Sequence, residues 1–207
     1  LGGLAPVEPE IAEALSDGMA RIDRPGLSIE GDAPALTDVD PCFRALRALG
    51  FWASARVTPE EVTRHYKPAL QQNIAEGRAL DVDSVAEALV TRSSIYDKMR
   101  QFLTRYDVIA CPVSGIGPLP VEVEYPPEIA GEKSRDYLDW LRFAFPATLA
   151  GLPALSLPLT RTASGMPVGI QMIGQPRGEA RLLQIARALE EAIGFPQTPI
   201  DPVVRHS

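Results

Sequence analysis

Phe145-Pro-Ala-Thr-Leu-Ala-Gly-Leu-Pro-Ala-Leu-Ser-Leu-Pro158 and, a few residues on, Ser164-Gly-Met-Pro-Val-Gly-Ile-Gln-Met-Ile-Gly174 decide how this chain is read. Within them Ala154 to Leu159 and Val168 to Ile173 are short apolar runs bounded by proline and glycine, the pattern of buried strands. Thr160 to Pro167 between them, with Ser164-Gly165, suits a hairpin or another tight connection. Downstream, Gly178-Glu179 opens a helix with Leu182, Ala186, Leu189 and Ile193 in register; Gly194 is placed to stop it and Pro196 follows. Upstream, Val108-Ile-Ala-Cys-Pro112 is a third apolar run, β-branched at its start, which predicts a strand buried on both faces. Ser114 to Pro127 is a proline- and glycine-rich loop, and Ser134 to Phe143 a short helix.

Before Asp107 the period is helical. Pro9 suits a first turn, and Ile11, Leu15, Met19 and Ile22 share one face until Arg24-Pro-Gly26 stops the helix. Leu27 to Glu30 is a candidate short strand, and Gly31 to Thr37 a loop. Asp40-Pro41 starts a second helix through Phe43, Leu46, Leu49 and Phe51. Thr58-Pro59-Glu60-Glu61 has the form of an N-cap, a proline at N1 and a capping-box glutamate, so a third helix begins there, limited or kinked by Pro68. Asp83-Ser84 opens a longer one carrying Val85, Leu89, Ile95, Met99 and Leu103. Helices around a few buried strands define the α/β class. The expected organisation is a single unit over 1–207, mainly helical to 105, strands plus helices over 106–195, and a tail over 196–207.

At 207 residues and 22.4 kDa the chain is long enough for one well-buried domain and too short for two of ordinary size. Lys and Arg number 20 against 27 Asp and Glu, a formal charge of −7. That balance argues against a nucleic-acid partner and against an anionic membrane surface, both of which need clustered basic residues. The most apolar stretch, Phe143 to Leu159, holds Pro146, Pro153 and Pro158 and is too broken for a membrane helix. Leu1-Gly2-Gly3-Leu4 lacks the basic and apolar regions of a secretory signal. Cys42 and Cys111 stand far apart, as reduced thiols of a cytoplasmic protein would.

Few motifs carry chemistry. His65 and His206 are too few for a multi-histidine metal site, and GxSxG, GxGxxG and GxxxxGK[ST] are all missing. Asp81 with Asp83, and Glu122 with Glu124, fit solvated acidic pairs better than an acid–base couple. Lys67, Lys98 and Lys133 lie in polar contexts that would not strip an ammonium of its proton. Ser114-Gly-Ile-Gly117 is either a loop bordering a pocket or a turn after a strand.

The two opening segments, together with Glu179-Ala-Arg-Leu-Leu183 and the upstream Arg105-Tyr-Asp-Val-Ile-Ala-Cys-Pro112, resemble the C-terminal part of the amidase signature family; Leu4 to Glu10 is a weaker match. The resemblance extends from Leu4 to Phe195. It implies a mixed β-sheet flanked by helices, the C-terminal part of an α/β/α fold. It also implies hydrolysis of a carboxamide, to acid and ammonia or amine, by a serine activated through a second serine and a neutral lysine. Backbone amides of a glycine- and serine-rich loop would hold the oxyanion, with no metal or organic cofactor.

That glycine- and serine-rich segment and its lysine belong to the family's N-terminal half, and this sequence has no counterpart. Ser93-Ser94, its only serine pair, lies in a helical pattern without glycine. No catalytic residue is therefore assigned, and the chain alone is expected to be inactive. The resemblance carries over pocket wall: Cys111, Pro112 and Val113 at a strand end, and Phe143 to Thr148, facing the acyl part of a small-molecule amide. There Ala144 and Ala147 would leave room for a bulky group, and Thr148 stands where many relatives have asparagine. Pro153, Pro158, Gly165, Pro167, Gly169 and Gln171 are assigned to backbone geometry.

Two other functions are weighed. The glutaminase subunits of tRNA-dependent amidotransferases usually carry an aspartate about seven residues before the asparagine position, where this chain has Leu141; Asp139 is displaced by two. A non-catalytic binding or scaffold module is the other. A missing N-terminal half or partner chain, or a second copy, is the expected partner.

Overall fold

In the computed structural model, residues 1–22 and 24–194 are described; the expected tail, with Phe195, Pro196 and His206, lies outside them. The first layer follows from helical phase. α1 (Pro9–Ala20) has its proline in the first turn and buries Ile11, Ala14 and Gly18, while Leu15, Met19 and Ile22 are half-buried against the sheet's apolar face. Residues 27–30 do not form the expected strand. A strand needs a ladder partner, and instead this segment is tied down by side chains, Tyr106 Oη bonding Glu30 and Asp32 at 3.0 and 2.9 Å.

α2 (Val39–Ala55), α4 (Pro68–Ala79) and α5 (Val82–Phe102) form a bundle. The capping box expected at Thr58 is not made: its hydroxyl donates back to Ser54 O at 2.9 Å, and the helix it would start, α3 (Glu60–Thr63), is one turn long. Pro68, expected to limit or kink the third helix, begins a helix of its own, because its fixed φ and missing N–H suit N1. Gly77 lets α4 lie on α2: a Cβ there would meet Ala48 O at 2.0 Å. Asp81 caps α5, accepting from Ser84 N at 2.7 Å.

The chain then turns to strands. β1 (Ile109–Pro112), β4 (Ala154–Arg161) and β5 (Pro167–Ile173) form a sheet in the order β1-β5-β4, antiparallel at both pairings, and a small ribbon joins β2 (Glu128–Ile129) to β3 (Glu132–Lys133). Alternation sends Val168, Ile170 and Met172 toward α1 and α7 (Glu179–Ile193), and Ile109, Cys111 and Ile173 into the core with α2 and α5. β1 is buried on one face only, since Ala110 is exposed between Ile109 and Cys111. The helix expected at 134–143 is shifted: a 3-10 helix over Asp139–Ala144 runs directly into α6 (Phe145–Ala150), closed by Gly151 at φ 61°. Phe145 is 1% exposed and stacks on Phe43 of α2, ring centroids 3.7 Å apart. The α/β class expected from the sequence is the class observed. No described helix is long and apolar enough to cross a membrane.

Candidate functional site

β5 places Gln171 opposite Cys111 of β1 and opposite Ser156 of β4. Its side chain points to the face that meets the 3-10 helix, and Nε2 donates to Phe143 O at 2.9 Å and contacts Cys111 Sγ at 3.1 Å. One carboxamide thus holds together two wall segments that lie 32 residues apart in sequence, Cys111 and Phe143. Gln171, which the sequence assigns to backbone geometry, therefore has a bonding role; the signal for it is a polar residue at an inward position of an apolar strand. Burial pushes the Cys111 thiol pKa up, and the Gln171 contact offsets this in part. The sulfur therefore stays a protonated, unreactive thiol near neutral pH.

The other wall residues divide by helical phase. Phe143 and Ala147 are buried at 4% and 6% exposure, Ala147 inside the core formed with α2 and α5, whereas Ala144 and Thr148 are exposed. Thr148 Oγ1 donates to Ala144 O at 2.9 Å, one turn back along its own helix. Cys111 and Pro112 border an apolar groove of about 410 Å3 between α1 and the outer edge of β1, where Leu15, Met19 and Ala110 also lie. Val113 turns instead into a second cleft of about 550 Å3, walled by Ile116, Leu119, Trp140 and Met166, with Ser156 and Gly169 among its lining. The Ser114–Gly117 loop therefore borders a cleft, as one of its two readings held.

The first residues of the chain brace that loop. Glu8 N donates to Gly115 O at 2.7 Å, and a Cβ on Gly115 would meet Pro6 O at 2.2 Å, so only glycine permits the approach. Glu8 also accepts from Ala130 N at 2.8 Å, and Glu10 accepts from Ser164 Oγ at 2.7 Å in the β4–β5 turn.

Asp139 anchors the 3-10 helix. It is 3% exposed and accepts from Arg135 N at 2.7 Å, from Arg44 at 2.8 Å, from Arg142 at 2.9 Å and from the Arg135 guanidinium. Burial alone would raise its pKa, but the bonds from Arg135 and Arg142 outweigh it and hold the carboxyl well below the usual range.

The groups that could break a bond are not assembled among the described residues. Ser93 Oγ donates to Leu89 O at 3.0 Å inside α5, and Lys98 Nζ donates to Thr37 Oγ1 at 3.2 Å. Lys67 and Lys133 are exposed. No described group of three or more His, Cys, Asp or Glu side chains is placed to hold a metal ion.

A sequence profile of the amidase family matches residues 34–183. A glutamyl-tRNA(Gln) amidotransferase subunit of Treponema pallidum is 32% identical over 185 residues, covering 87% of this chain and 32% of that protein. The fatty acid amide hydrolase of Oryza sativa is 36% identical over 116 residues, 56% of this chain and 19% of the enzyme. The acylamidase of Rhodococcus erythropolis is 27% identical over 191 residues, 91% of this chain and 40% of the enzyme. Among solved structures, a bacterial aryl acylamidase of the amidase signature family superimposes with a TM-score of 0.80 at 20% identity, covering 92% of this chain and 41% of that one. The chain thus spans 19% to 40% of the length of these curated relatives.

Proposed function

Because this chain belongs to the amidase signature family, we propose that it forms the downstream part of an amidohydrolase, which cleaves a carboxamide to a carboxylic acid and ammonia or an amine. The serine nucleophile and its lysine lie outside these residues, and this chain supplies walls for the acyl side of the substrate: Cys111, Pro112 and Val113 at the end of β1, with Phe143 and Ala144 at the end of the 3-10 helix and Ala147 and Thr148 in α6. The observation that carries the reading is the unfinished sheet. β1 pairs with β5 on one side, and no described strand occupies its other edge, which opens onto the apolar groove beside α1. An edge strand next to an apolar groove is a surface that further chain covers.

The likeness to the amidotransferase protein favours a second reading, in which the amide is glutamine. The state of Asp139 weighs against it, because its carboxylate is fully engaged by three arginines and has no capacity left for a substrate ammonium.

The test is activity profiling of the longer polypeptide against aliphatic and aryl carboxamides and glutamine, with the 207-residue chain as control. The expected result is amide hydrolysis by the longer polypeptide alone, with its upstream serine taking up a fluorophosphonate. Stoichiometric labelling of any serine of the 207-residue chain, or its own turnover of an amide, would overturn the proposal.

A further inference from the structure

The second cleft lies between the loop that follows β1 and the β4–β5 hairpin, with Trp140 of the 3-10 helix as a further wall. It is continuous with the candidate site through the backbone, since Val113 follows Cys111-Pro112 directly and Trp140 precedes Phe143 by one helical turn. Its volume of about 550 Å3 is that of a small-molecule site. Val113, Leu119 and Met166 are 41%, 38% and 40% exposed on its walls, and Val121 and Val123 at its margin are exposed as well. Apolar side chains left facing water on a shared concave surface mark a place that gains by being filled.

Charge decides what can fill it. Among the described residues, Glu124 is the one ionisable group in the lining, and no lysine or arginine borders the cleft. Glutamine, whose carboxamide lies on its side chain, would bring its free ammonium and carboxylate into this space, and the carboxylate would lose its hydration without meeting a cation. An uncharged hydrocarbon acyl group meets mainly apolar walls, with Ser114, Ser156, Glu124 and the backbone at Gly169 as polar neighbours. Resting on the amidase reading above, we infer that this cleft takes the acyl group of an uncharged apolar amide, aliphatic or cycloaliphatic, and discriminates against glutamine.

The test uses the 207-residue chain with Trp52→Phe. The sequence has two tryptophans, so Trp140 then reports alone. Its emission is titrated with butanamide, hexanamide, cyclohexanecarboxamide and glutamine. Expected is a saturable change with the three apolar amides, tightening by up to about fourfold per added methylene until the cleft is full, and none with glutamine at the same concentrations. Met166→Glu should weaken hexanamide binding by about tenfold or more while leaving far-ultraviolet circular dichroism unchanged, as expected for a half-exposed position, and Met166→Leu should retain binding. Absence of a saturable change with every apolar amide, an equal response to glutamine, or hexanamide binding indifferent to Met166→Glu would overturn the inference. Its failure is separable from that of the amidase reading: a longer polypeptide that hydrolyses only glutamine keeps the reading and ends this inference, and one that hydrolyses nothing does the reverse.

Discussion

Replacing Asp139 by asparagine removes the charge on which the 3-10 helix is built. Four donors converge on that carboxylate, one a backbone N–H, and a hydrogen bond to a charged group is worth about 1.5–3 kcal/mol. The losses do not add. Arg44 keeps Asp40 and Asp136, and Arg135 keeps Asp40, so the deficit falls chiefly on Arg142, whose side chain is 21% exposed. The expected cost is about 3 kcal/mol, the low end for breaking a buried pair, or about 6–12 °C in Tm for a domain of this size. Asp97→Asn is the control: its pair with Arg100 spans 3.3 Å with side chains 61% and 45% exposed, and it should cost no more than about 0.5 kcal/mol. The pH dependence has a definite sign. A carboxyl whose pKa is depressed by folding stabilises the fold above its ordinary value near ~3.9 and loses that contribution as pH falls toward the folded value. Urea unfolding followed by circular dichroism should therefore show a wild-type advantage over Asp139→Asn that is full at pH 7 and shrinks below about pH 4. Equal costs for the two substitutions at pH 7, or a gap that widens in acid, would refute the reasoning.

Two further outcomes can be read from the same protein. Gly77→Ala puts a methyl 2.0 Å from Ala48 O and should destabilise by about 1–3 kcal/mol despite its better helix propensity; Gly50→Ala, inside α2 with nothing within 4 Å of the new methyl, should stabilise by about 0.5–1 kcal/mol. Both are read from urea midpoints, and a reversed order would remove Gly77's role in the α2–α4 approach. The Tyr106 phenol, bonded first to Asp32 and then to Glu30, has its pKa pushed up to about 12. Ultraviolet titration should show a late phenol step that returns toward ~10 in Asp32→Asn; an unchanged late step in that variant would show that it does not come from Tyr106.

The elements that sequence located correctly are those whose signal is local. α1, α2, α5 and α7 declare themselves by apolar residues recurring every three or four positions, and the β4–β5 hairpin by two apolar runs about Ser164-Gly165. Where residues have competing local options, the reading failed. Thr58 satisfied its hydroxyl backward on Ser54 rather than forward on a helix N-terminus. The 134–150 region divided into two helix types because its stability comes from Asp139 and Phe145, whose partners Arg44 and Phe43 lie about a hundred residues upstream. The candidate site divides similarly: its wall segments were legible as motifs, but the Gln171 amide that joins them became visible only once strand register was fixed.

The brace formed by Pro6, Glu8 and Glu10 has a practical consequence for anyone cutting this polypeptide. Those three residues reach the loop after β1, the β2–β3 ribbon and the β4–β5 turn at once. An expression boundary drawn at the start of α1, which secondary structure alone would recommend, discards two of the three moorings and leaves only Glu10 on Ser164. α1 would lose the Glu8 carbonyl that accepts from Ile11 N and Ala12 N, so its first turn would loosen, while the other helices keep their bonds. The cleft's outer wall would not keep its rest position, and ligand affinity would fall with a loss of helical signal no larger than that one turn.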